Sequence, residues 1–221
     1  MARKADVQGV VTALLLSNLV SVVLFGLRVV ATRDTQYWFL FWNLLLAWVP
    51  IIWVYLLRQT LKTRRWQEPR AVLYTVLWLA FLPNSFYIMS DLIHLRATGD
   101  IGLLFDTVLF LSCIFNGLVA GLLSVYWVHK ALIQRRGKRI AARLIAGVFV
   151  LSSLAIYLGR NLRWNTWDIL VNPFGLLFDV SERVVNPLSH PQIFLTTSTF
   201  FVLIGSIYLV MWKFIQVLQH D

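Results

Sequence analysis

The residues of this chain best suited to chemistry fall in two short segments, Leu82–Leu95 and Gly159–Pro173. The first reads LPNSFYIMSDLIHL. Pro83 has no backbone N–H, so a helix here should break or kink near it. If helix resumes beyond it, Asn84, Tyr87, Asp91 and His94 stand at i, i+3, i+7 and i+10 and share one stripe. An amide, a phenol, a carboxylate and an imidazole on one face suit a bundle interior or a water-filled pocket better than lipid. The second segment, GRNLRWNTWDILVNP, adds Arg160, Arg163, Trp164, Asn165, Trp167 and Asp168.

Three kinds of chemistry suit these residue types. Asp91 and His94 could ligate a divalent ion, with Asp168 or Asp106 completing its shell, and the ion could polarise a water for attack on an ester or amide. That option is disfavoured, because no HExxH or comparable paired-ligand motif is present and the cofactor is otherwise unknown. Without a metal, His94 could act as a base oriented by Asp91, with Asp168 as a third catalytic candidate. Arg160 and Arg163 would then hold a phosphate or carboxylate, and Asn84, Tyr87, Asn165, Trp164, Trp167 and Asp106 would complete the substrate site. Nucleophilic catalysis has little support, since there is no G-x-S-x-G and Ser85 and Ser90 have no base at a diagnostic spacing. The third option is purely structural. Arg160 and Arg163 would pair with Asp91, Asp106 or Asp168 to close helix ends, with Asn84 and Asn165 as caps.

The elements that must position these groups are membrane helices. The chain is 59% hydrophobic and only 14% charged, with a mean hydropathy of +0.72, and about 20 apolar residues suffice to cross a bilayer core. Six spans are expected, at about 7–31, 35–57, 71–93, 104–128, 142–162 and 191–214, within a single integral membrane domain over 1–221. The fold class is an all-α polytopic bundle. Arg3 and Lys4 precede the first run, which is too long for a signal-peptide core, so that helix is read as retained.

Charge orients the bundle. Fourteen of the twenty Lys/Arg fall on one side of these spans and seven of the ten Asp/Glu on the other. By the positive-inside rule the basic side is cytoplasmic, with both termini. The two polar segments then face outward. The basic loops 58–70 and 130–143 hold this topology and touch anionic lipid, which explains the net charge of +10 without nucleic acid. Cys113 is the only cysteine, so no intrachain disulfide or thiolate zinc cluster can form.

Helix 5 has 16 uncharged residues before Arg160, about 24 Å of rise against a core of about 30 Å. Arg160 must therefore snorkel or meet a carboxylate at the outer boundary. Tyr37, Trp38, Phe39, Phe41 and Trp42 read as an interfacial aromatic belt, as do Trp53 and Tyr55 at the other end. Pro50 is expected to kink helix 2. Gly117 and Gly121 make a GxxxG spacing that fits packing within the chain or dimerisation, and Asn18, Asn43 and Asn116 read as interhelical glue. Between Asn172-Pro173 and Asn186-Pro187, residues 174–185 read as an amphipathic interfacial helix, either a lid or a connector.

The LPNSFYIMSDLIHL stretch followed by GRNLRWNTWDILVNP resembles a family of bacterial six-span membrane proteins known as domain of unknown function 1361. The resemblance implies a family-wide role for Pro83, Asn84, Tyr87, Asp91, His94, Gly159, Arg160, Arg163, Trp164, Asn165, Trp167 and Asp168. It implies residence in the bacterial inner (plasma) membrane and supplies no activity. Carriers show repeats and broken helices near the midplane, whereas Pro50 is the lone mid-span breaker here, so transport is disfavoured. The remaining readings are an envelope enzyme or binder acting on a lipid-linked substrate, and a non-enzymatic assembly protein with a membrane protein partner.

Overall fold

A computed structural model of the chain describes residues 4–96, 102–186 and 188–218. Arg3 and Pro187, both used in the sequence reading, lie outside them. Among the described residues all regular structure is helical: α1 (Lys4–Thr32), α2 (Trp38–Thr60), α3 (Pro69–Tyr87), a 3-10 segment (Ile88–His94), α4 (Leu103–Arg136), α5 (Lys138–Asn161), α6 (Asp168–Val171), α7 (Pro173–Val185) and α8 (Pro191–Leu218). Six stretches are long and apolar enough to cross a membrane, and they are the six apolar runs of the sequence: Gly9–Thr32, Trp38–Thr60, Pro69–His94, Leu103–Arg136, Lys138–Asn161 and Pro191–Leu218.

Local structure departs from expectation in two places. α3 runs through Pro83 and ends four residues later, and the change of geometry comes at Ile88, where the chain tightens into a 3-10 helix. Proline costs one hydrogen bond to the preceding turn, which a helix packed on two neighbours tolerates. The second departure is the supposed basic loop 130–143, which is helical except at Gly137. The run Lys130–Arg136 consists of good helix formers. Gly137, at φ +81°, supplies the left-handed turn that separates α4 from α5.

α4 is the most buried of the six spans. α2 and α3 pack along each other and on α4, α1 lies on α4, and α5 packs against α3, α4 and α8. The GxxxG pair serves this intramolecular packing. A Cβ on Gly117 would come within 2.8 Å of Ile88 Cγ2, and one on Gly121 within 2.7 Å of Ser85 Cβ. The close approach brings the end of α3 against α4, and Ser85 Oγ donates to the Ala47 carbonyl of α2 at 2.9 Å. Lipid supplies no hydrophobic force between helices, so such packing and hydrogen bonds must hold the bundle. Asn116 donates to Ser21 Oγ and the Ser17 carbonyl of α1, and Asn18 accepts from Trp48 Nε1. Both are glue, as read. Asn43 has another role, described below.

The belt at the start of α2 also needs correction. Trp38 is well exposed, but Tyr37 is fully buried, edge-on to Phe110 and beneath the Arg28 guanidinium at 4.1 Å. The ends of α1, α3 and α5 meet the starts of α2, α4 and α8 at this end of the bundle, which carries the polar segments. The opposite end carries Arg58–Arg70 and Lys130–Arg143.

Candidate functional site

The 3-10 geometry of Ile88–His94 sets the site. With three residues per turn, positions i and i+3 eclipse, so Asp91 and His94 stand one above the other. Neither bonds the other directly, because Arg160 lies between them. From the end of α5 its Nη2 donates to Asp91 Oδ1 at 2.7 Å, and its Nη1 lies 2.9 Å from His94 Nε2. Nε and Nη2 also donate to Ser90 Oγ, and the guanidinium carbon sits 4.6 Å above the Tyr87 ring. The second carboxylate oxygen of Asp91 accepts from Asn43 Nδ2 of α2 at 2.7 Å. Four elements (α2, α3, the 3-10 segment and α5) are thus wired into one network.

The direction of each bond follows from the donors. A guanidinium only donates, so Nε2 of His94 is an acceptor and the ring's own N–H lies on Nδ1. Asp91 is buried, with 2% of its side chain exposed, against 19% for Arg160. His94 is exposed and edge-on to Phe39. A bidentate-capable arginine, a buried carboxylate and an exposed imidazole in line make a preorganised, charge-assisted chain.

That chain lines a cavity of about 330 Å³ between α2, α3 and α5, closed on one side by the turn after α5 and by α6–α7. Its polar wall carries Asn43, Asn84, Tyr87, Asp91, His94, Arg160 and Asn165, and Trp42, Trp164 and Trp167 add large rings. Below them Leu46, Ala80 and Ala155, each about one turn further into its helix, make the wall apolar. Gly159 keeps this region open to the Tyr87 ring, which a Cβ there would meet at 3.1 Å. Asn84 donates to Thr166 Oγ1 at 3.1 Å and ties the turn to α3. Trp164 Nε1 donates to Asp179 of α7 at 2.8 Å, and Leu176 of α7 reaches the cavity wall. Helix 173–185 therefore borders the site, and apolar side chains elsewhere on it, such as Phe174 and Phe178, are exposed.

Not every sequence candidate is brought here. Asp106 pairs instead with Arg28 of α1 at 2.9 Å, fully buried and outside the cavity. Asp168 accepts from the Asn165 backbone N–H at 2.6 Å and closes the turn that starts α6. Arg163 is exposed, in left-handed backbone at φ +60°, and its side chain does not line the cavity. Among the described residues no three His, Cys, Asp or Glu side chains gather. Between Asp91 and His94, where a metal would sit, the guanidinium bonds both. Asn43, Ser90, Phe39, Trp42 and Thr166 are participants the sequence reading missed.

The family model described as "Protein of unknown function (DUF1361)" matches residues 42–207, three quarters of the chain. The chain belongs to that family. No curated protein and no solved structure matches it. The family match takes in Asn43, Ser90, Asp91, His94 and Arg160, while Arg28 and Tyr37 of the other pair precede it.

Proposed function

We propose that this protein is an integral membrane enzyme of the bacterial cell envelope that acts on a lipid-linked substrate at the cavity between α2, α3 and α5. The carrying observation is the Asp91–Arg160–His94 chain lining an open cavity that is polar above and apolar below. An amphiphile fits such a cavity with its headgroup against the chain and its tail along Leu46, Ala80 and Ala155. The charge split between the two ends supports an outward-facing site and cytoplasmic termini.

The wiring suggests how the chemistry is switched on. Asp91 and Ser90 hold Nε and Nη2 of Arg160, so Nη1 is the position a substrate can win. An anionic phosphate or carboxylate oxygen makes a stronger, charge-assisted bond there than a neutral imidazole nitrogen. Its arrival displaces His94 and frees Nε2 to take a proton from an attacking hydroxyl or water, and later to return it to the leaving oxygen. Asp91 positions Arg160 and takes no proton. Metal chemistry finds no support in the guanidinium held between the two candidate ligands.

One observation favours a non-enzymatic assembly role: every nitrogen of Arg160 is already paired, as in an ion pair that only closes helix ends. Lipid and glycan profiles of a deletion strain beside Asp91→Asn and His94→Gln strains separate the two. The enzyme reading expects the His94→Gln protein to stay at wild-type level in the membrane and both variants to reproduce the deletion profile. A wild-type profile with His94→Gln, together with loss of the Asp91→Asn protein from the membrane, would replace it with the structural role. Orientation is tested by labelling single cysteines placed at Ser189 and Lys138 in a Cys113→Ala background. Reagent added to intact cells should reach the first and not the second.

A further inference from the structure

The end of the bundle opposite the cavity has a second concavity, of about 600 Å³, between the α2–α3 loop and the α4–α5 hairpin. Arg65, Arg135 and Arg136 line it with Trp66, beside the apolar side chains of Ile140 and Leu144. All three arginines are exposed. Arg135 donates to the Leu61 carbonyl at 2.9 Å and lies 5.8 Å from the Trp66 ring. Trp66 is itself fixed by donation to Thr75 Oγ1 at 2.9 Å. Glu68, the acid nearest in sequence, is committed to Arg64 by a 2.7 Å ion pair. Arg64 and the Arg65 backbone N–H hold its carboxyl below the usual range, the backbone bond contributing most. Among the described residues no carboxylate forms an ion pair with the groove's three guanidinium groups, Glu68 meeting the Arg65 charge only through space, and the apolar wall beside them is about half exposed at Ile140 and Leu144.

We infer that this groove is a binding site for one anionic glycerophospholipid. Its phosphate would sit among Arg65, Arg135 and Arg136, with its acyl chains on Ile140 and Leu144. A bare surface charge would attract a diffuse lipid atmosphere. Here the charges instead converge on a concavity with a fixed indole and an apolar floor, complementary to a headgroup and the start of its tails at once. The site is independent of the cavity chemistry and of whatever substrate that cavity takes.

The test is native mass spectrometry of the purified full chain in detergent micelles doped with phosphatidylglycerol, phosphatidylcholine or inorganic phosphate. Arg65→Gln/Arg136→Gln is the diagnostic variant, because among the described residues neither side chain holds a hydrogen bond or ion pair and Arg65 meets Glu68 only through space; Arg135 is left alone for the sake of Leu61. Lys138→Gln/Arg139→Gln removes the same charge outside the groove. The wild type should retain one phosphatidylglycerol in preference to phosphatidylcholine. The groove variant should bind it about thirtyfold more weakly, about fivefold for each arginine, and the control should hold it within about threefold of wild type. Equal losses in the two variants would reduce the site to diffuse surface charge. Equal retention of the two lipids, or displacement of the lipid by millimolar inorganic phosphate, would overturn it as a lipid site.

Discussion

The polar end of the bundle contains two arginine–aspartate pairs built on the same plan. In each, an arginine from the end of one helix meets an aspartate from another and lies over a tyrosine ring: Arg28, Asp106 and Tyr37 in one, Arg160, Asp91 and Tyr87 in the other. Both carboxylates are buried, and the contact distances differ by only 0.2 Å, at 2.9 and 2.7 Å. The surroundings differ. The Arg28 pair is sealed, at 1% and 0% side-chain exposure, yet it is poorly satisfied: among the described residues Asp106 Oδ2 and the Tyr37 hydroxyl have no hydrogen-bond partner. The Arg160 pair opens on a cavity and is fully wired, with Asn43 on the second carboxylate oxygen and Ser90 and His94 on the remaining nitrogens. Burial of the carboxylate is therefore common to both pairs, and completeness of the hydrogen bonding is not. An exposed imidazole at the end of the network is what separates them.

The largest effect should come from breaking the sealed pair. Arg28→Met or Asp106→Leu alone strands a charge in a dry interior, and each should cost about 3–5 kcal/mol. That cost would be read as a lowered midpoint of unfolding in detergent and a lower membrane level. The double variant removes both charges and should recover most of the loss. If the double variant is as unstable as the singles, the pair does more than close the α1–α4 contact.

Arg160→Lys tests the open pair. Lysine keeps the charge but cannot bond Ser90, Asp91 and His94 from one planar fork. The loss should be about 1.5–3 kcal/mol, the range for a hydrogen bond to a charged group, smaller than for Arg28 because water reaches this site. The envelope profile should nevertheless match the deletion strain. A profile unchanged from wild type would make the two pairs functionally alike.

Gly121→Ala probes what holds the open pair in place. The new methyl would fall 2.7 Å from Ser85 Cβ and 2.8 Å from Phe86 Cε1, and overpacking of this kind costs about 1–3 kcal/mol. Because Ser85 and Phe86 lead directly into the 3-10 segment, the site should suffer with the fold. Arg28–Asp106, nearer the start of α4, should not, and cysteine accessibility at a Met89→Cys position in the 3-10 segment would report the difference.

The helices were legible because an uncharged run of about 20 residues has one stable state in a bilayer. The candidate cluster was legible in part, since Asp91, His94 and Arg160 are expensive groups near a membrane and had to find partners. Which partner each would choose was not. Asp106 was an equal candidate for Arg160 until the packing of α1 on α4 gave it to Arg28, 78 residues away. Asn43 looked like any intramembrane amide, and only the crossing of α2 and α3 set it on Asp91. Ser90 was hidden by reading the segment at 3.6 residues per turn. Tightening to three residues per turn keeps Asp91 and His94 on one face and carries Ser90 to the guanidinium.

The smallest expected effect concerns Arg163, whose type and position promised a second anion contact. Its exposure and φ of +60° describe a residue that turns the chain after α5. Arg163→Gln should then change stability by less than about 0.5 kcal/mol, as surface changes usually do. Arg163→Gly should be the more stable of the two by about 0.5–1 kcal/mol. Relief of left-handed strain, about 1–2 kcal/mol, outweighs the extra freedom glycine gives the unfolded chain. Both variants should support a wild-type lipid and glycan profile. Should Arg163→Gln match the deletion strain while Arg163→Gly gains stability as expected, the guanidinium acts on substrate despite its turn geometry. The open pair would then be one half of a two-arginine site, with nothing corresponding to it around Arg28.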